Sequence, residues 1–147
     1  MNWTPARYYR SLFLIGGIWN ISMSLGVWIF GLLVPSTFGL LGMTAPSTLF
    51  FFHAMTGFIF SFGIGYIIVS RNTGENNAVV VLGVIAKSIF FVDCAISVSL
   101  GQANGILLAV GIIDLLFAIL FAEFLSSVRK EIRPDQISHG DATEHNN

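Results

Sequence analysis

Lys87 and Asp93 are ionisable residues inside GVIAKSIFFVDCAISVSLG, the stretch from Gly83 to Gly101, which otherwise reads as membrane-buried helix. Asn20, His53 and Asp114 stand in similarly apolar surroundings. These residue types could form an ion pair, hold the polar head of an amphiphile or pass a proton. A charge at the bilayer centre costs at least ~2.5 kcal/mol on insertion scales, so each of them needs a partner or a reason. Six residues separate Lys87 from Asp93, about 120° around a helix and ~9 Å along it. Because helical side chains lean toward the N-terminus, Lys87 points away from Asp93 and the partners must come from other helices.

Counting from span midpoints gives the depths. Lys87 falls ~3 Å to one side of centre, Asp114 ~2 Å to the other, and Asn20 within ~2 Å of it. Lys87 and Asp114 are therefore expected to neutralise each other, with Asn20 supplying hydrogen bonds. Asp93 and His53 share a layer roughly 6 to 8 Å out. Left without a cation, Asp93 is expected to be protonated or to share a proton with His53. Glu123 lies ~11 Å to the cytoplasmic side, placed to snorkel near Arg10 or Arg71. For each group the plain alternative is structural: a buried pair can fix helix register without chemistry, and a lone histidine is commonly a packing residue.

The elements that position these groups follow from composition. The chain has 147 residues, 54% hydrophobic and 10% charged, with a mean hydropathy of +0.79. A soluble domain carries about 25% charged residues, so this one is not built to face water. Four apolar stretches, 8–34, 47–70, 78–100 and 103–128, each meet the roughly 20 residues that cross a bilayer. The expected fold is all-α, a single bundle of four transmembrane helices. Residues 129–147 read as a polar, aperiodic cytoplasmic tail. The first stretch exceeds the length of a signal-peptide core and is read as a retained span.

Orientation follows from the basic residues, which stay on the cytoplasmic side. All seven except Lys87 cluster at one end: Arg7 and Arg10 before the first span, Arg71 in the turn RNTGENN, and Arg129, Lys130 and Arg133 after the fourth. Both termini are expected to be cytoplasmic, with Trp3, Tyr8 and Tyr9 in the aromatic belt. The connection PSTFGLLGMTAP is the one long loop, readable as an interfacial turn or as a lid over the bundle mouth.

Small residues show where helices can approach, since lipid gives helices no hydrophobic drive to associate. Gly16, Asn20 and Ser24 form one ridge. His53, Gly57, Ser61 and Gly65 form a second. Gly83, Lys87, Cys94, Ser97 and Gly101 form a third, and Gly111, Asp114, Ala118 and Ala122 a fourth. Each polar residue shares a stripe with small ones, so Gly57, Ser61, Gly65, Gly83 and Gly111 are read as helix-packing positions. One histidine, one cysteine and scattered carboxylates at these depths make no metal site of recognisable spacing. No nucleophile–base–orienter spacing, phosphate loop or basic nucleic-acid patch is present.

IWN at Ile18–Asn20, FGIGY at Phe62–Tyr66, LGVIAK at Leu82–Lys87 and DLLFAILF at Asp114–Phe121 together resemble the small four-helix membrane proteins of the DoxX-like family. The resemblance spans Arg7 to Val128 and implies a bacterial inner-membrane protein. The family's founding members are associated with a quinone-reducing oxidoreductase, and most relatives have no assigned activity. It implies no catalytic residues and adds weight to Asn20, Lys87 and Asp114 as a set. Two functions are expected. One is binding or transport of a small amphiphile, quinone, lipid or proton at the polar centre. The other is an accessory or self-associating subunit, paired with itself or another membrane chain. A cavity reaching Lys87 and Asp114 favours the first, a sealed pair the second. An enzyme ranks third, because a cofactor would have to supply the missing chemistry.

Overall fold

A computed structural model describes residues 5–34 and 36–140, with side chains at 6–34, 36 and 38–127. It is all-helical among these residues: α1 Pro5–Leu33, α2 Thr37–Leu40, α3 Phe50–Arg71, α4 Asn77–Ser99 and α5 Gly105–Gly140. Four helices carry apolar segments long enough to cross a membrane, the shortest of them Phe50–Arg71 with 22 residues, or about 33 Å at 1.5 Å per residue against ~30 Å of hydrocarbon. Helices satisfy their backbone groups internally, which lipid demands. Ile15, Phe30, Phe51, Phe58, Ile89 and Ile119 are exposed on the outer faces, a surface suited to acyl chains. The second span, α3, begins at Phe50, after Pro46-Ser47-Thr48, rather than at residue 47.

The α5 backbone stays helical beyond the span, through Pro134 to Gly140, where the sequence suggests aperiodic chain. Extending an existing helix needs no new nucleus. Residues 141–147, Trp3, and the side chains of Arg129, Lys130 and Arg133 lie outside the described residues.

Helix α1 packs along α3 and α4 along α5, with a smaller contact between α3 and α4. At the half of the bundle nearest the termini, the two pairs share one aromatic core. Phe13 of α1 stacks against Phe121 and Phe124 of α5, and Tyr66 of α3 against Phe121, with centroids 4.9 Å apart in each case. Leu12, Val69 and Val80 complete it. The Tyr9 hydroxyl and Ser127 Oγ, 3.0 Å apart, tie α1 to α5 at that end.

At the opposite end, α4 stops in a two-bond glycine cap. Gly101, at φ 69°, donates to the Val98 carbonyl at 3.0 Å, and Gln102 to that of Ser97 at 2.9 Å. Only glycine takes that left-handed position without penalty. Asn104 then straps the 35–46 connection to this turn. Its backbone N–H donates to the Leu41 carbonyl and its Nδ2 to the Leu40 carbonyl, both at 2.8 Å. The connection thus folds back across the end of the bundle, with Phe38 buried against Phe52.

Candidate functional site

The polar centre sits just above the aromatic core. Helix α1 reaches α3 at Gly17 and Gly63, where a Cβ built on Gly17 would lie 2.9 Å from the Gly63 carbonyl oxygen and one on Gly63 3.1 Å from that of Gly17. No larger residue fits this crossing. It brings Asn20, one turn on, against α3, where its Nδ2 makes a long 3.5 Å bond to the Ile59 carbonyl. Asn20 Oδ1 accepts from Lys87 Nζ of α4 at 2.9 Å. The same Nζ lies 2.6 Å from Asp114 Oδ1 of α5. Three side chains therefore link all four spans.

Lys87 is 3% exposed and Asp114 16%, so the lysine is enclosed and the carboxylate keeps a small open edge. Tyr66 and Phe117 present ring faces to Nζ, with centroids at 5.8 and 5.3 Å, inside the ~6 Å range of a cation–π contact. A lysine normally snorkels to the interface. Here two oxygens and two rings hold it at depth.

Sequence reasoning did not find Tyr66, although Gly83, one turn before Lys87, carries its signature. A Cβ at Gly83 would fall on the Tyr66 hydroxyl. That hydroxyl is buried with no hydrogen-bond partner. Gly17 and Gly63 are also missed, because ridges at four-residue spacing through Asn20 and His53 run through Gly16 and Gly57 instead.

The structure does not bring Asp93 and His53 together. Asp93 is exposed on α4, and no hydrogen bond or ion pair joins it to His53. His53 packs instead between Trp28 of α1 and its neighbour Phe52, with centroids at 6.2 and 6.0 Å. The reason is rotational: the His53 side of α3 turns to α1, not to α4. Of the small residues on its ridge, Gly57 and Ser61 are exposed, and nothing lies within 4 Å of a Cβ built on Gly57. They are not packing positions within this chain. Gly65, by contrast, meets Val79 and Gly111 meets Cys94, each at 3.0 Å. Glu123 is exposed and makes no ion pair with Arg10 or Arg71.

His53 lines a cavity of about 150 Å³ in the α1/α3 groove, together with Ser24, Trp28, Thr56, Gly57 and Phe60. Its Nε2 is buried without a hydrogen-bond partner. The two hydroxyls donate elsewhere: Ser24 Oγ to the Ile21 carbonyl at 3.1 Å, and Thr56 Oγ1 to those of Phe52 and His53 at 3.1 and 2.9 Å. The cavity wall is thus mostly apolar. Neither Asn20, Lys87 nor Asp114 lines it. Among the described residues no three His, Cys, Asp or Glu side chains cluster to hold a metal ion. Comparison with protein-family models, curated proteins and solved structures finds no match to this chain.

Proposed function

We propose that this chain is a non-catalytic membrane protein in which Asn20, Lys87 and Asp114 clasp the bundle while a small amphiphile is held beside them, in the α1/α3 cavity. The observation that carries this reading is the apolar cavity of about 150 Å³ between α1 and α3, lined by Trp28, Thr56, Gly57 and Phe60. The clasp supports the non-catalytic part, because Lys87 is 3% exposed and held by two oxygens, leaving a reacting molecule no access to Nζ. On this reading the amphiphile of the binding hypothesis sits one layer away from the ion pair. Quinone, lipid and proton are narrower alternatives for the same role. The DoxX-like kinship and the bacterial inner membrane rest on the quoted motifs. Cytoplasmic termini rest on the clustering of basic residues.

Native mass spectrometry of protein extracted in mild detergent tests the reading. A bound small molecule is expected with the wild type and lost in Gly57→Leu, which fills the cavity without a backbone clash. Identical spectra for the two would end it.

A second reading, an accessory or self-associating subunit, is favoured by Asp93. It is exposed on α4, and a carboxylate toward lipid is expensive enough that a neighbouring chain would gain by covering it. Cysteines placed on that face and crosslinked in native membranes would report such a neighbour; monomer at every position would exclude it.

A further inference from the structure

What covers Asp93 can be named, resting on the second of the two readings above and independent of the first. Asp93 is exposed on α4 and makes no hydrogen bond or ion pair among the described residues. It stands six residues past Lys87, about 9 Å toward the end of the bundle away from the termini. Snorkelling gives it little relief, because helical side chains lean toward the N-terminus, which on α4 turns the carboxyl back toward the layer of Lys87.

The face that carries it has a regular pattern. Leu82, Ala86, Ile89, Asp93, Ile96 and Leu100 follow one another at alternating spacings of four and three residues, the seam of a two-stranded coiled coil. Its four large side chains are each at least half exposed, since α3 and α5 meet α4 on another side, at Gly83, Lys87 and Cys94. Lipid gives an apolar seam no hydrophobic drive to close, whereas a polar group that finds a partner across it does. One polar residue at a seam position also fixes register and the number of strands.

No cation of this chain reaches the layer of Asp93. Lys87 is enclosed in the clasp, His53 turns to α1, and Arg7, Arg10 and Arg71 sit at the opposite end of the bundle. A partner of another kind would have to bring its own cation to that depth. A second copy needs none. Two chains inserted alike are related by an axis along the membrane normal, so their α4 helices run parallel and each Asp93 meets the other at equal depth. A protonated carboxyl both donates and accepts, and two that share at least one proton satisfy each other. We propose that the chain self-associates as a two-fold dimer through the α4 seam from Leu82 to Leu100, with the two Asp93 carboxyls hydrogen-bonded across the axis.

The test mixes donor- and acceptor-labelled copies of the purified full chain, tagged at the C-terminus, in phosphatidylcholine vesicles and follows energy transfer as lipid dilutes them. Wild type should self-associate. Asp93→Asn should keep the dimer, because an amide also donates and accepts. Asp93→Leu should weaken it roughly 3- to 30-fold, the worth of one hydrogen bond between spans. Asp93→Lys should fail to pair with itself and should pair with wild type at least as well as wild type does, a result that a contact elsewhere on the chain would not produce. Circular dichroism of each variant, expected to be unchanged because Asp93 has no partner within the chain, separates lost association from lost fold.

Association of Asp93→Leu equal to that of wild type removes Asp93 from the axis and leaves only a self-associating subunit. So does Asp93→Lys pairing with itself as well as with wild type. Loss of association in Asp93→Asn overturns the shared-proton pair. A wild type that stays monomeric at every dilution overturns the dimer; crosslinks from this face to a different protein in native membranes would then leave the accessory reading standing without it.

Discussion

Removing one member of the clasp should cost far more than removing the pair. In Asp114→Leu, Lys87 remains 3% exposed with Asn20 Oδ1 at 2.9 Å as its single oxygen partner. In Lys87→Met, Asp114 loses its cation but keeps an edge that is 16% exposed, so it is the less damaging change. Breaking a buried pair typically costs about 3 to 5 kcal/mol, which places Lys87→Met near ~3 and Asp114→Leu near ~5. If the sites were independent, the double variant would lose their sum, about 8 kcal/mol. Replacing both members with apolar side chains is often close to neutral, and the remaining penalty is the orphaned Asn20 amide, about 1 to 3 kcal/mol. The double variant should therefore be clearly more stable than Asp114→Leu and at least as stable as Lys87→Met, with a coupling energy of about 5 kcal/mol or more. Reversible unfolding in mixed micelles, followed by far-ultraviolet circular dichroism, gives the four free energies needed. Additivity within about 0.5 kcal/mol would mean that Lys87 and Asp114 do not stabilise each other, and the clasp would have to be abandoned.

The glycines make a second set of expectations. Gly83→Ala, which meets the Tyr66 hydroxyl, and Gly17→Ala, which meets the α3 backbone, should each destabilise by about 1 to 3 kcal/mol as overpacking does; Gly57→Ala, with nothing within 4 Å, should stay within about 0.5 kcal/mol. Equal effects at the three positions in the same unfolding assay would contradict the packing described. Asp93→Asn and His53→Gln should be additive in stability, since exposed Asp93 and α1-facing His53 share no contact. A coupling above about 1 kcal/mol would restore a pair between them. Cysteines placed in 72–76, in a chain carrying Cys94→Ala, should be modified by an impermeant thiol reagent only from the cytoplasmic side, as the basic residues require. Modification from outside the cell would invert the assignment.

The spans and the clasp were legible in the sequence for one physical reason, the expense of polar groups in hydrocarbon. A run of apolar residues has one inexpensive conformation in lipid, so length and composition are enough to place four helices. A lysine, an aspartate and an asparagine near one depth have few ways to avoid paying for burial, and mutual contact is the simplest. Depth counting found the set because rise per residue is fixed, even though helix rotation is not. Tyr66 escaped because its ring is apolar by composition, and its role beneath Lys87 depends on a glycine in another helix.

The helix that resisted this reasoning was α3, and its failure accounts for the lost Asp93–His53 pair. Polar and small residues share the packing face where the polar group has a partner inside the bundle. On α1, α4 and α5, Asn20, Lys87 and Asp114 meet, and the small residues Gly16, Gly83 and Gly111 beside them are buried. On α3 the polar residue was His53, whose Nε2 has no hydrogen-bond partner among the described residues, so nothing required its stripe to face the other helices. The contact with α1 fell to Gly63, where backbone meets backbone, and that crossing fixed the rotation of α3. Gly57 and Ser61 were carried outward with it, and His53 came to rest against Trp28, away from Asp93. A small residue marks a surface that something can approach. Only a paired polar group says that the something belongs to the same chain, and the two residues left unpaired by this rotation, His53 and Asp93, are those for which a partner from outside the chain has the most to gain.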